Sequence, residues 1–504
     1  MGTKSALLLI TSLSILIIGY FRFSRYLEVR KFKKLHNCQP AIRAPQSERI
    51  IGLSAFLKVL AFRRDHVSLE QTLKKALEIG RTHTAVILGQ NIVFTCDPEN
   101  LKTVLATNFL DYGLGPRVHF MGPLLGEGIF TSDDAAWHHS RVSATNAMAL
   151  PDLIRPCFTR TQIADLEALE NHVQALISCL PPNGTTVDLQ PLFYNFTIDS
   201  ATEFLVGQSV GCQGSGPGSA GLEFSQALDY AEAAIEKRNA LGKHAWLLRD
   251  PKFHESCKVV HRFTENFINE TLKGNAKPGR YNLLAELANS CRDPIRLRNE
   301  LLNVLVAARD TTASLLGSMF YFLAHNPDTW DKLRTEVGEL NGRIPDYQTL
   351  KDMKYLKSVL NETLRLIPPV PLNERFARKD TVLPHGGGAD GQSPIFVAKG
   401  SRVVSSVYAM HRLPEIWGND PQLYRPERWF DGKLRPGWGF LAFNGGPRTC
   451  LGQQKALVET SYTVVRLLQV FDRIEPRDDQ PWLEKLAISV TNVNGTKVAF
   501  WKAP

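Results

Sequence analysis

The run Phe443-Asn-Gly-Gly-Pro-Arg-Thr-Cys450-Leu-Gly452 sets one cysteine between glycines, two residues after an arginine. An apolar helical pattern follows at once, through Ala456, Leu457, Val464, Leu467, Leu468 and Val470. A thiolate that ligates iron needs backbone N–H groups aimed at its sulfur, and glycine lets the backbone come that close. Gly446 and Gly452 supply that freedom, Arg448 can reach an acidic group at the edge of a planar cofactor, and Phe443 can shield the sulfur from water. A lone cysteine in a glycine-rich turn is usually an inert buried thiol. Phe, Gly, Arg, Cys and Gly together at this spacing point instead to a thiolate on haem iron, a ligand that favours O–O cleavage.

A second group of residues, Ala307-Ala308-Arg309-Asp310-Thr311-Thr312, sits midway along a helical pattern from 293 to 325, opened by Asp293-Pro294 and ended near Asn326-Pro327. About thirty helical residues would run roughly 45 Å, enough to cross the whole body. Asp and Thr are costly inside a buried apolar helix unless they serve something. Oxygen activation gives them a purpose, with the hydroxyl bending the backbone and holding water while the carboxylate feeds protons. Glu362 and Arg365 lie three apart on one helical face, and Arg428 in Pro426-Glu427-Arg428-Trp429 offers the same carboxylate a second guanidinium. Alone, such a pair would be a surface salt bridge worth under about 1 kcal/mol.

At these residues the chain resembles the cytochrome P-450 superfamily, and the likeness runs over nearly all of it after the N-terminal segment. The resemblance implies a mainly α fold with small β-sheets (α+β) and haem b with Cys450 as axial thiolate. It makes Asp310 and Thr311 the acid and alcohol that deliver protons, with Ala308 where glycine is more usual. Trp137 and Arg141, four apart on a helix opened by Ser132-Asp133-Asp134, match the haem-propionate contacts, as do Arg375 and Arg448. Glu362, Arg365 and Arg428 match the structural triad that locks the haem-side core. Pro368-Pro-Val-Pro371 forces an extended chain that aims Val370 and Leu372 toward the pocket, so Ala307, Val370 and Leu372 are the substrate-contact candidates. His411 reads as a hydrogen-bonding core or loop histidine rather than a second ligand. The chain departs from the family where Val142 to Leu153 intervene before Ile154-Arg155-Pro156-Cys157-Phe158. This stretch is either a surface insertion or a retained intron in the gene model, and in the second case the protein would hold haem weakly.

Other elements must position these groups. A helix is expected over 67–80, strands over 82–88 and 91–95 separated by Gly-Gln, and a helix opened by Asp97-Pro98. Residues 112–131, apolar and interrupted by glycine, read as a substrate-contacting loop rather than an element of core. Helices are expected over 162–180, 189–206, 327–340 and 348–366, and mixed apolar and basic helical segments over 222–273 resemble the family's roof over the site. The GxGxxG spacings at Gly216 and Gly386 have no βαβ frame, which excludes dinucleotide binding there.

The chain of 504 residues carries eight cysteines without a framework spacing, as expected in a reducing compartment. Residues 5–21 are uncharged and mainly apolar, with Lys4 before them and Arg22, Arg25, Arg30, Lys31, Lys33 and Lys34 after. That asymmetry predicts a signal anchor with the catalytic body cytosolic. The expected organisation is a transmembrane anchor over 1–23, a basic, proline-containing linker over 24–48 with Pro40 and Pro45 as a stiff hinge, and a catalytic domain over 49–504. Part of the +9 net charge belongs to the juxtamembrane cluster and suits anionic lipid. No nucleic-acid motif accompanies it. Five Asn-x-Thr triplets read as unused, as a cytosolic body requires.

The expected protein is thus a monooxygenase of the endoplasmic reticulum membrane. It takes electrons from an NADPH-dependent flavoprotein reductase, with cytochrome b5 as a further donor, and oxidises a hydrophobic small molecule. The runs LPHGGGADGQSPIFVAKG, FNGGPRTCLGQQKALVE and FTRTQIADLEALE look most like fungal alkane- and fatty-acid-hydroxylating members, which implies terminal hydroxylation of a long aliphatic chain. Tailoring of a polyketide or terpenoid is the alternative within the family. Outside it stand a haem protein that works without a reductase and a product inactivated by the 142–153 segment.

Overall fold

The computed structural model describes residues 2–48, 50–141, 166–214, 216, 218–274, 282–430, 432 and 434–502. The 142–153 segment lies outside them. The chain opens on α1 (Gly2–Leu35), and its later turns dock on the body, where Arg25 pairs with Asp380 and Phe32 meets Phe396 edge-on at 5.5 Å. Among the described residues no helix is both long and apolar enough to cross a membrane. After α1 the chain runs along a sheet edge, Ile42 N–H bonding Gly386 O at 3.2 Å and Thr84 N–H bonding Ile42 O at 2.8 Å.

Helices α2 (Leu53–Arg64) and α3 (Ser68–Glu78) lead into a hairpin of β1 (Thr82–Ile87) and β2 (Gln90–Thr95). Ile87 pairs with Gln90, leaving Leu88-Gly89 as the turn with φ of 49° and 73°. Two positive φ values are what a two-residue hairpin of the right twist demands, so the turn falls one residue earlier than Gly-Gln. Asp97 caps α4 (Pro98–Lys102) by accepting from the N–H groups of Glu99 and Asn100. The loop expected over 112–131 is instead built around β3 (Tyr112–Gly113) and α5 (Arg117–Leu125). Phe120, Leu124 and Leu125 bury one face of α5 and make it core. Pro123 stands inside α5 at the cost of one i−4 hydrogen bond, and Gly126, at φ 62°, stops the helix.

Next come α6 (Asp134–Arg141), α7 (Glu167–Ser178), β4 (Val187–Asp188), α8 (Leu189–Val206), α9 (Ala220–Leu241), α10 (Pro251–Leu272) and α11 (Leu283–Ser290). The spine is α12 (Pro294–His325), 32 residues opened by Pro294 and capped by Asp293, whose carboxylate accepts from Ile295 N–H at 3.0 Å. Helix α13 (Pro327–Gly338) follows. The single helix expected over 348–366 is two, α14 (Tyr347–Asp352) and α15 (Lys354–Leu366), because Met353 takes an extended ψ of 104° between them.

Strands β5 (Leu372–Ala377), β6 (Thr381–Gly387), β7 (Ser393–Val397) and β8 (Arg402–Ser406) precede α16 (Gln453–Val470) and β9 (Phe471–Pro476). Strands β10 (Glu484–Leu486), β11 (Val490–Asn492) and β12 (Lys497–Lys502) end the chain's ordered elements. The main sheet has the order β1-β2-β8-β5-β3, parallel only between β2 and β8. One apolar cluster fills the space between α7, α8, α12, α13, α15 and α16, where Leu316, Met319, Phe320 and Leu323 have no exposure. A second lies between α5 and helices α8 to α12. The spine therefore passes between two cores, and its middle is left to face the cysteine loop. Among the described residues no disulfide forms.

Candidate active site

The cysteine loop is a tight turn over Gly446–Arg448 followed by Cys450, whose N–H bonds Phe443 O at 3.0 Å. Gly446 has φ of 68°, and a Cβ there would lie 1.9 Å from Leu105 O, so the loop is pressed onto the backbone after α4 in a way only glycine permits. Gly452, in contrast, has an ordinary φ of −83° and stands at the N-terminal boundary of α16. The left-handed freedom sought there belongs to Asn444, at φ 62°. Phe443 is half-buried and packs against the first core cluster.

Three guanidinium groups gather at one side of this loop. Arg448 bonds Asp133 Oδ1 at 2.7 Å and Ser132 O at 2.9 Å, and its guanidinium carbon lies 4.4 Å from the centre of the Trp137 ring, which is itself buried. Arg375 is buried, bonding only Asn373 Oδ1 at 3.1 Å and Glu374 O at 2.7 Å among the described residues. Arg117, not anticipated from the sequence, reaches the same Asn373 Oδ1 at 3.2 Å. Burial pushes the Arg375 pKa well below the usual arginine range, and the neighbouring Arg117 and Arg448 charges push it the same way. Burial likewise lowers Arg117. Buried cations crowded together are costly unless an anion sits among them. Asp133 already serves Arg448 and Arg378. A planar cofactor with two carboxylates would offset what remains, so the residues present fit haem and its propionates. Arg141 closes α6, and its side chain lies outside the described residues.

Along α12 every residue between Asn299 and Phe320 is buried except Ala307, Ala308 and Thr311. Positions i, i+1 and i+4 share one helical face, so these three mark the open side of the spine. Ala308 packs against the second core cluster together with Leu451, the residue after Cys450, and Ile488. Thr311 Oγ1 donates to Ala307 O at 2.7 Å, an i−4 bond that tends to bend a helix. Its proton is thereby engaged while its lone pairs can still accept. Asp310 turns to the other side, where Arg309 Nη1 lies 3.1 Å from its Oδ1. Burial raises the Asp310 pKa and the Arg309 charge opposes the rise.

The β10–β11 tip closes over this point, Ser489 Oγ donating to Asp310 O at 3.3 Å and Val490 N–H to Pro369 O at 2.9 Å. That second bond ties the proline run to the hairpin tip; Val370, next along it, is 39% exposed and Leu372 is partly buried. Ile488 and Ser489 escaped the sequence reading because about 180 residues separate them from Asp310 and no local pattern marks a hairpin tip as part of a site.

Glu362, fully buried, accepts from Arg365 Nη2 and Arg428 Nε at 2.8 Å each, from Arg425 N–H at 2.9 Å and from Trp429 Nε1 at 3.0 Å. The triad is thus assembled, and two further donors join it. His411 Nε2 accepts from Leu441 N–H at 3.0 Å, which leaves Nδ1–H to donate to Arg365 O at 3.0 Å. With both nitrogens engaged it is a core hydrogen-bonding histidine that ties the triad to the chain entering the cysteine loop.

The family model for cytochrome P450 matches residues 50–499. The chain is 43% identical to cytochrome P450 monooxygenase himC of Aspergillus japonicus over 92% of its own length and 83% of that protein. It is 40% identical to cytochrome P450 monooxygenase fsdH of Fusarium heterosporum, over 98% and 89%, and 44% identical to cytochrome P450 52A10 of Candida maltosa, over 82% of each. Members of this family hold haem through a cysteine thiolate, take electrons from a reductase and insert oxygen into hydrophobic substrates. A chain with this loop, this cation cluster and these relatives belongs to the cytochrome P450 family of monooxygenases.

Proposed function

We propose that this monooxygenase hydroxylates the terminal carbon of a long-chain fatty acid or alkane. The observation that carries the proposal is the lining of the open side of α12. Ala307, Ala308, Leu451 and Ile488 are partly open there beside the Thr311 hydroxyl, and all four are aliphatic, while Val370 and Leu372 follow the proline run bonded to the same hairpin. A wall without charge suits the end of a hydrocarbon chain, and the likeness of three sequence runs to fungal alkane and fatty-acid hydroxylases supports the same reading. Tailoring of a specialised metabolite is the second reading, favoured by himC and fsdH matching as much of the chain as the 52A-type relatives do.

Cys450 would ligate the iron, with Gly446 holding the loop and Phe443 keeping water from the sulfur, while Arg117, Arg375, Arg448, Trp137 and Arg141 would hold the propionates. When bound, haem supplies the binding and reductive activation of O₂. Thr311 Oγ1, its own proton on Ala307 O, accepts a hydrogen bond in the groove and keeps a water there. Asp310, which faces Arg309 on the other side of the helix, would supply the protons that water passes on by swinging its carboxyl toward the groove. Electrons would come from an NADPH-dependent flavoprotein, with cytochrome b5 as a second donor. The helix α1 would anchor the chain in the endoplasmic reticulum membrane, supported by its exposed Ile15, Leu16 and Ile18 ahead of the basic cluster.

The test is a panel of fatty acids and alkanes of increasing chain length titrated against the purified holoprotein, read by the Soret shift and followed by product analysis with a reductase. Terminal alcohols are expected from a narrow range of chain lengths. Shifts given only by polycyclic or branched acids would refute the substrate assignment, and an unchanged carbon monoxide difference spectrum in Cys450→Ser would refute the site itself.

A further inference from the structure

Arg309 has no exposed side-chain surface, yet it lies in the middle of α12 facing α9 and α8 rather than solvent. Its Nη2 pairs with Asp229 and bonds Ser225 Oγ at 3.3 Å, and its Nη1 lies 3.1 Å from Asp310 Oδ1 and 3.5 Å from Glu232 Oε2. The ring of Tyr194, from α8, lies 4.7 Å beneath the guanidinium. Three carboxyl groups thus surround one buried cation. Asp229 reaches solvent, so the balance that matters is that of the buried groups, and Asp310 and Glu232 ionised together would leave one uncompensated negative charge away from water, which is costly. At least one carboxyl must therefore hold a proton. Asp229 is not the one, because its side chain is 55% exposed and makes the short contact to Arg309. Asp310 has the closer contact to Nη1. Glu232 is 7% exposed, has the longest contact, and its Oε1 is buried with no hydrogen-bond partner among the described residues. An unpartnered buried oxygen is what a protonated acid with a hydrogen still to give would present. Burial, with the Asp310 charge next, raises the Glu232 pKa well above the usual carboxyl range, whereas Asp229 and Asp310 press on Arg309 to keep it charged.

We propose that Glu232 of α9 holds the proton that resupplies Asp310, and that Asp229 resupplies Glu232 from solvent. The Glu232 carboxyl already lies within hydrogen-bond reach of the Asp310 carboxylate, beside the Nη1 they share, so its O–H can be given directly. One proton leaves Glu232 for Asp310, Glu232 becomes a carboxylate beside Arg309, and a proton arriving by way of Asp229, three residues earlier on the same helical face, restores it. No electrons move and the charge of the cluster is unchanged over the cycle. Glu232 acts through Asp310 and is a positioning residue for proton supply. Groups facing it from the packed elements are Arg309 and Asp310 on α12, Tyr194 on α8, and Asp229 and Ser225 on α9 itself.

The proposal rests on Asp310 being the acid that serves the oxygen side, and the experiment separates the two. Infrared spectra of the full-length holoprotein in ordinary and deuterated water should show a protonated carboxyl C=O band that is absent in Glu232→Gln and retained, shifted, in Asp310→Asn. In parallel, the solvent deuterium isotope effect on reductase-driven NADPH consumption should rise at least about twofold in Glu232→Gln and return in Glu232→Asp, with haem content as the folding control. A removed acid can cost about 10²–10⁴-fold in rate, and a loss of about tenfold is expected for Glu232→Gln because Asp310 remains. A band that survives in Glu232→Gln, or an isotope effect that changes in Asp310→Asn but not in Glu232→Gln, overturns the role of Glu232. An isotope effect unmoved in Asp310→Asn as well overturns the role of Asp310, on which the relay stands.

Discussion

Replacing Gly446 by alanine tests whether the cysteine loop is seated by backbone contact. Alanine at φ 68° carries the left-handed penalty of about 1–2 kcal/mol. Its Cβ would also lie 1.9 Å from Leu105 O, 2.7 Å from Leu105 C and 3.2 Å from Ala106 Cα. These are main-chain atoms held by the turn Thr103–Thr107, so they cannot swing aside as a side chain would. Forcing an extra carbon into packed structure costs about 1–3 kcal/mol more, for a total of about 2–5 kcal/mol. That is a large share of the roughly 5–15 kcal/mol that holds a domain folded. Gly437 supplies the control, since its φ is also positive, at 50°, but a Cβ there meets nothing within 4 Å. Gly437→Ala should cost only the backbone term. Denaturant unfolding of the holoprotein measures the two costs, and the carbon monoxide difference spectrum reports whether sulfur still ligates iron. Gly446→Ala is expected to lose much of its thiolate signal while Gly437→Ala keeps it. Equal stability losses and intact thiolate spectra in both would show that the contact with Leu105 does not seat the loop.

Glu362→Gln removes the charge that two buried guanidiniums share and should destabilise the holoprotein by about 3–5 kcal/mol, measured by thermal unfolding. His411 is buried neutral, its pKa lowered by burial from the ordinary 6.5 to about 3. Between those values the unfolded chain binds the proton and the folded one does not, so stability present above pH 6.5 is lost as pH falls toward 3. The loss amounts to about 4–5 kcal/mol at about 1.36 kcal/mol per pH unit, and urea unfolding of His411→Gln should show a flatter slope over that window. Ala307→Phe, which fills the open side of α12, should abolish the Soret shift given by long-chain acids while leaving the carbon monoxide spectrum of the thiolate unchanged.

How much of the site could be read beforehand depended on whether its chemistry is local in the chain. The cysteine loop, the Asp310-Thr311 pair and the capped spine are each contained in a few consecutive residues, and capping and periodicity gave the ends of α12 to within a residue. In the 112–131 segment the glycines point to a loop, whereas the buried face of Phe120, Leu124 and Leu125 that makes α5 a helix is a tertiary fact. Gly446 and Gly452 look alike in sequence, yet Gly446 takes a left-handed φ of 68° against the backbone of Leu105, some 340 positions earlier, whereas Gly452 has an ordinary φ of −83°.

Charge balance is hidden even more thoroughly than packing. Arg375 and Arg448 were legible as cations with a motif behind them, but Arg117, which shares Asn373 with Arg375, has no neighbour in sequence that advertises it. Asp229 and Glu232 likewise read as the polar face of an ordinary helix, and Arg309 as a basic residue between an alanine and an acid. Only when α9 is laid against α12 do they become one cluster, and only then does the count of two buried carboxyls to one guanidinium, with Asp229 at its solvent edge, call for a proton. The chemistry of Asp310 is therefore set by partners about 80 residues away, and a change on α9 that leaves every residue of the spine intact should still alter the rate at which protons reach the groove.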